Sequence, residues 1–248
     1  MNAPSIKAPH CHTSDPRQNQ LLATLSDLEW HRLRPHLQLM DLSLGQVLCE
    51  SGRNPPHMIF PTTAIASLLY LTLAGASAEV AVVGNDGVVG LSLFMGGNAT
   101  PSQAVVQSSG QGYRLSAQVV RNEVARGGAV LHMLLRYTQA MIAQVAQTAV
   151  CNRFHSIDQQ LARRLLLALD RLPTDELEMT QELAANLLGV RREGVTAAAH
   201  KLQRAGVIRY NRGHLVVLDR HRLEQCACEC YALAKKEYGR LLPMPLAA

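Results

Sequence analysis

The stretch from Met179 to Asp219, MTQELAANLLGVRREGVTAAAHKLQRAGVIRYNRGHLVVLD, leaves a folding chain few options. Thr180 can cap a helix whose apolar positions, Leu183, Ala184, Leu187 and Leu188, fall on one face. Gly189 then supplies the positive φ that ends a helix within one residue. A second helix, predicted over 192–205, sets Val195, Ala198, Ala199 and Leu202 along one side at spacings of 3, 4 and 7. Gly206 stops it, Val207 and Ile208 open a strand, and Asn211-Arg212-Gly213 turns that strand into a partner over 215–218. Two helices at a tight corner followed by a hairpin with a basic tip make a winged helix-turn-helix. Such a unit implies binding to double-stranded DNA.

Charge is concentrated on the same stretch. Residues 191–222 carry eight basic side chains (Arg191, Arg192, Lys201, Arg204, Arg209, Arg212, Arg220, Arg222) against Glu193 and Asp219, out of a net charge of +5 for the whole chain. Phosphate binding requires this local density, because each Lys or Arg contact releases counterions. Only three Phe and one Trp are present, too few aromatic rings for a base-stacking RNA platform.

At 248 residues, two domains joined by a linker or a long helix are expected. Residues 1–17 read as a disordered tail, with no basic start followed by an apolar run and hence no signal peptide. Residues 58–78 lack charge, but Pro61, Gly75 and several Ser and Thr interrupt them, which predicts buried β structure and not a membrane span. Cytoplasmic localisation and reduced thiols follow as expectations. Short amphipathic helical turns are predicted over 20–25 and 26–33. Short β runs follow over 47–49, 58–60, 64–73, 79–83, 104–107 and 112–115, punctuated by glycines, the pattern of a β-roll or jelly roll. A short helix over 116–126 closes at Gly127-Gly128.

A long helix is predicted over about 129–150. Its apolar residues, among them Leu131, Leu134, Leu135, Thr138, Met141, Ile142 and Val145, cover an arc too broad for one neighbour. One partner would be the β-roll and the other a second copy of the helix, with Leu131, Leu134, Thr138, Met141 and Val145 as the dimer seam. A hinge is expected over 152–155, after which Ser156 caps a helix with Gln159 three residues on, ending before Pro173. The domains read as 18–128 (β-roll sensor), 129–152 (dimerisation helix) and 153–240 (winged helix-turn-helix), an α+β chain.

This order of parts resembles the CRP/FNR family of bacterial transcription regulators over about residues 20–220. The most specific match is LLGVRREGV, similar to the family's G-x-S-R-E-T-V segment at the start of the recognition helix. The resemblance implies that Arg192 donates to guanine and Glu193 accepts from a cytosine amino group, with Thr196 the third base-reading candidate. Thr180, Gln181, Arg191, His200 and Arg212 fall where the family touches phosphate. It further implies a homodimer on a two-fold symmetric site with half-sites about 10 bp apart, and it allows RNA polymerase as a partner. Arg191 stands where the family has a capping Ser, Gly194 where it has Thr, and Ala197 where some members place a second reading Arg, so a different operator is expected.

In nucleotide-binding members a Gly-Glu pair grips the ribose and an Arg neutralises the cyclic phosphate. Here Leu91 takes the Glu place, Ser102 and Gln103 the Arg region, and no charged residue lies between Gly87 and Tyr113. A buried phosphate would go uncompensated, so cyclic AMP is not expected. Either a filled core or an unidentified small effector near Leu91, Ser92, Ser102 and Gln103 is left, and no cofactor is predicted.

Cys226, Cys228 and Cys230 form a C-x-C-x-C run beside His221. On a continuous helix Cys226 and Cys230 share a face and Cys228 points away, so joint metal ligation would need unwinding. A thiol- or metal-sensing regulator using these three is the alternative reading. Cys11, flanked by His10 and His12, does not make the family's N-terminal iron–sulfur set. No phosphate loop, HExxH or G-x-S-x-G is present, and no enzyme is expected.

Overall fold

Residues 15–97, 99–172 and 174–242 are described by the computed structural model. The expected tail falls mostly outside them, as do Cys11 with its flanking histidines and Pro173. Its last residues are ordered: a 3-10 turn at Pro16–Gln18 places the Arg17 guanidinium 4.5 Å from the Trp30 ring centre. Helices α1 (Gln20–Ala23) and α2 (Asp27–Leu33) follow, α2 opened by a capping box between Ser26 and Glu29.

Strands β1 (Gln38–Leu42), β2 (Val47–Cys49), β3 (His57–Pro61), β4 (Ile65–Leu71) and β5 (Ser77–Val83) come next. A short helix α3 (Ser92–Met95) separates them from β6 (Gln103–Ser108) and β7 (Gly110–Ser116). They form two antiparallel sheets, β1-β7-β3 and β2-β6-β4-β5. Between the sheets lie Leu42, Met58, Phe60, Ala66, Val83, Val106 and Leu115, all buried in one core. Each predicted β run is found. Strand β1 was not anticipated, because in QLMDL only Leu42 is buried and no alternation marks it.

Helix α4 (Ala117–Arg126), capped by Ser116, leads through Gly127-Gly128 to α5 (Ala129–Phe154). Helix α5 runs through the expected hinge. The break comes only at His155 and Ser156, both extended, and the Ser156–Gln159 capping box then starts α6 (Ile157–Leu169). Two of the expected dimer-seam residues are corrected here. Leu134 and Met141 are buried in the chain's own β-roll core beside Val130, Met133 and Tyr137. Of the expected seam Val145 is exposed, as are Leu135, Ile142, Val150 and Phe154 elsewhere on α5.

The C-terminal part holds β8 (Glu176–Glu178), α7 (Gln181–Leu188), α8 (Arg192–Arg204), β9 (Ile208–Asn211), β10 (His214–Val217), α9 (Arg220–Cys226) and α10 (Glu229–Leu241). Its sheet, ordered β8-β10-β9, packs with α6–α9 over a second core built on Leu161, Leu165, Leu202, Ile208, Leu215 and Leu223. That core also takes in Ile65 and Val82 from the β-roll, so the two parts share apolar surface.

One buried and one partly buried ion pair cross the same junction. Glu79 on β5, which also accepts from the Ser67 hydroxyl, meets Arg164 of α6 at 2.5 Å, both under a tenth exposed. Arg171 reaches Asp86 with Nε at 2.9 Å and Nη2 at 2.7 Å. Gly84 makes that approach possible, since a Cβ there would lie 2.7 Å from the Arg171 Cβ.

Removing one partner of such a pair strands the other charge in a poorly solvated site. Glu79→Ala is expected to cost roughly 3–5 kcal/mol of unfolding free energy, read from urea denaturation. An unchanged midpoint at unchanged m-value would contradict this.

Candidate nucleic-acid interface

Each turn of the bihelical corner has a local cause. The Thr180 hydroxyl accepts from the Leu183 amide and opens α7 (3.0 Å). Gly189 closes it at φ 66°, and the Val190 amide turns back to the Ala185 carbonyl. Helix α8 starts at Arg191 with no side-chain cap, the cost of having Arg where Ser would serve. Val195, Ala198, Ala199 and Leu202 are buried, and Arg191, Arg192, Glu193, Ala197 and His200 remain exposed. Gly194 is explained by packing: a Cβ there would lie 2.6 Å from Ile157 Cδ1, which would have to swing away.

The wing is an Arg212-Gly213 turn with φ of 47° and 86°. Positive φ at both central residues twists the turn with its strands. Arg212 is the one non-glycine with positive φ among the described residues, so its exposed guanidinium is held out at the tip of the hairpin.

Thr180, Gln181, Arg192, His200 and Arg212 come round one cleft of about 360 Å³. Tyr210 also lines it. Its hydroxyl donates to the Met179 carbonyl at 2.5 Å, and burial pushes its pKa up while the nearby Arg192 charge opposes the shift. Tyr210 was not singled out from sequence, although alternation from Ile208 puts it on the opposite face of β9 from Arg209. Arg191 and Glu193 stand outside the cleft. The Thr196 hydroxyl donates to Gln181 Oε1 (2.7 Å) and lies 3.0 Å from the Arg192 carbonyl, so it ties α8 to α7 in the free protein.

A second cavity, of about 480 Å³, lies between the β-roll and α5. Leu91, Ser92 and Ser102 line it, but Gln103 does not, contrary to the sequence expectation: its amide points instead to Glu50 Oε2 at 2.9 Å. The remaining wall includes Leu68, Val88, Thr138, Met141, Ile142 and Val145, with no Lys, Arg, Asp or Glu among the described residues. Ser92 Oγ is buried there without a hydrogen-bond partner.

The cysteine run is not on one helix. Helix α9 ends at Cys226, Ala227 and Cys228 are extended, and α10 begins at Glu229. The expectation of a continuous helix across the run is therefore corrected. Cys226 stands apart, whereas Cys228 and Cys230 are buried beside Cys151. Burial pushes the thiols of Cys151 and Cys230 up.

Residues 159–226 match the family model described as the Crp-like helix-turn-helix domain. The C-terminal part is thus similar in sequence to Crp-like helix-turn-helix domains. Among solved structures, a regulator assigned to the crp/fnr family from Eubacterium rectale superposes with TM-score 0.67 at 18% identity, covering 85% of this chain and 98% of that one. FixK2 from Bradyrhizobium japonicum gives 0.62 at 15%, covering 77% and 98%. A CRP/FNR-family regulator from Thermus thermophilus gives 0.63 at 19%, covering 77% and 98%. The chain thus has the CRP/FNR fold. No curated protein matches it by sequence. No described helix is long and apolar enough to cross a membrane.

Proposed function

We propose that the protein is a homodimeric, sequence-specific DNA-binding transcription regulator of the CRP/FNR type. The observation that carries this reading is the cleft where recognition helix and wing converge: Arg192, exposed at the start of α8, meets Thr180, Gln181, His200 and Arg212 there, and Glu193 is exposed just beside it. In this reading Arg192 donates to guanine and Glu193 accepts from a cytosine amino group, with Arg191 on the DNA backbone. Thr196 is freed to read a base only if it gives up Gln181.

The dimer seam is α5. Leu131, Leu135, Thr138, Ile142, Val145 and Ala149 follow one another at spacings of 3 and 4, the repeat of a two-stranded coiled coil. Ile142 is 63% exposed and Leu135 48% in the single chain. A second α5 covering this stripe would fix two α8 helices for consecutive major grooves, about one helical turn apart.

The 480 Å³ cavity shares Thr138, Ile142 and Val145 with that seam. An effector bound there would touch both the β-roll and the seam face of α5, which is the differential contact an allosteric signal needs. Its uncharged lining favours a largely apolar molecule with a polar group for Ser92, and disfavours a cyclic nucleotide phosphate.

Three outcomes test the reading. Arg192→Ala is expected to cost about 1–3 kcal/mol at individual positions of a site recovered by random-sequence selection; unchanged affinity and preference would remove Arg192 from the interface. Ile142→Glu is expected to halve the mass in sedimentation equilibrium, and a mass equal to the parent's would reject the seam. Calorimetric titration with cyclic AMP is expected to give no binding at micromolar concentrations; saturable heat there would overturn the uncharged-pocket argument.

A further inference from the structure

Four potential metal donors meet where the long helix ends. Cys151 and His155 are one turn apart on the last turn of α5 and its cap, and Cys228 and Cys230 flank the first residue of α10. Their ligand atoms all lie within 4.8 Å of one another. Cys151 Sγ is 3.5 Å from Cys228 Sγ, and Cys230 Sγ is 3.4 Å from His155 Nδ1. Zinc–sulfur bonds of about 2.3 Å in a tetrahedron place neighbouring sulfurs about 3.8 Å apart, which is the scale of this group. A cluster of several irons, with ligands on different metal atoms, would need them further apart.

The surroundings fit a bound cation independently. His155 turns Nε2 toward Glu229 Oε1 at 3.2 Å, the carboxylate–histidine arrangement that fixes Nδ1 as the metal-facing nitrogen. Gln147 Nε2 donates to Cys230 Sγ at 3.0 Å, a contact suited to a thiolate. Zinc with three thiolates and a neutral imidazole carries one net negative charge. The buried guanidinium of Arg163, held by the Thr148 hydroxyl three residues before Cys151, supplies the opposite one.

The backbone gives a further sign. QCACEC contains no Gly or Pro, yet the helix breaks at Ala227 and Cys228, and α10 starts without a side-chain cap. Helix propensity does not ask for this break. It is what brings Cys228, which a continuous helix would point away, round to Cys151.

We propose that Cys151, His155, Cys228 and Cys230 form a mononuclear tetrahedral zinc site that staples the end of α5 to the start of α10. Three donors are buried and the fourth nearly so, which makes the site closed and structural, with no open position for substrate. It lies beside Ser156, where the chain turns from α5 into α6. Zinc there fixes the direction in which the helix-turn-helix leaves the long helix. Cys226 takes no part.

The test uses the full chain, purified under reducing conditions, stripped with a chelator and titrated with zinc or cobalt. One zinc per chain is expected in native mass spectrometry. Cobalt is expected to give the thiolate charge-transfer and visible bands of a tetrahedral site with three sulfur ligands and one nitrogen. Cys228→Ser and His155→Ala should each weaken zinc at least about 10-fold, the scale on which even outer-shell partners act, while Cys226→Ser matches the parent. His155→Ala alters no buried thiol and keeps the test informative if a cysteine variant does not fold. Amide exchange over 227–234 should quicken on chelation. A folded stripped chain giving no tetrahedral cobalt spectrum would overturn the proposal. So would equal loss of metal in Cys226→Ser, or a Cys151–Cys228 disulfide formed under reducing conditions in the presence of zinc.

Discussion

The packing of α5 on the β-roll governs much else in this molecule. Val130, Met133, Leu134, Tyr137 and Met141 sink into the sheet core, and Tyr137 is wholly buried. Because those residues occupy one side, Leu135, Ile142 and Val145 are held outward as a continuous stripe. On the same helix Met141 and Ile142 also wall a cavity, which faces Leu91 and Ser102 of the roll. One interface therefore sets both the free face and the pocket that adjoins it.

The C-terminal part is not left on a flexible tether. Apolar contact through Ile65 and Val82, the Glu79–Arg164 pair and the Asp86–Arg171 pair all hold it against the roll, and α10 returns along α5. Buried ion pairs contribute little net stability against an apolar alternative, but they penalise misdocked arrangements in which one charge loses its partner. Their position between the parts suits an orientation that must be definite. A contact of this kind can also be exchanged for another when a bound molecule favours a different arrangement.

The legible features of the sequence were those with local causes. Thr180 and Ser156 with Gln159 announced helix starts through their side-chain oxygens, and Gly189 and Gly206 announced ends through positive φ. Strand β8 (ELE) escaped notice because three residues with one buried side chain carry no period. The outward face of α5 was half legible. Both faces of the helix are apolar, so Leu134 and Met141 look like Leu135 and Ile142 until the roll is in place. The spacing of 3 and 4 does not separate them, because Leu131, Leu134, Thr138, Met141 and Val145 follow it as well as Leu135, Thr138, Ile142, Val145 and Ala149 do.

By itself the chain determined its α+β class, the helix-turn-helix with its wing, and the exposed basic edge from Arg191 to Glu193, since caps, turns and short-period burial act within a few residues of the groups that cause them. Only the tertiary structure decided which side of α5 faces out, that Gln103 leaves the cavity for Glu50, and that the helix breaks inside QCACEC so that Cys228 meets Cys151 across 77 residues of sequence. The physical reason is one of range. Such contacts depend on where two distant segments are carried by the packing of everything between them, and no local pattern of residue types encodes that.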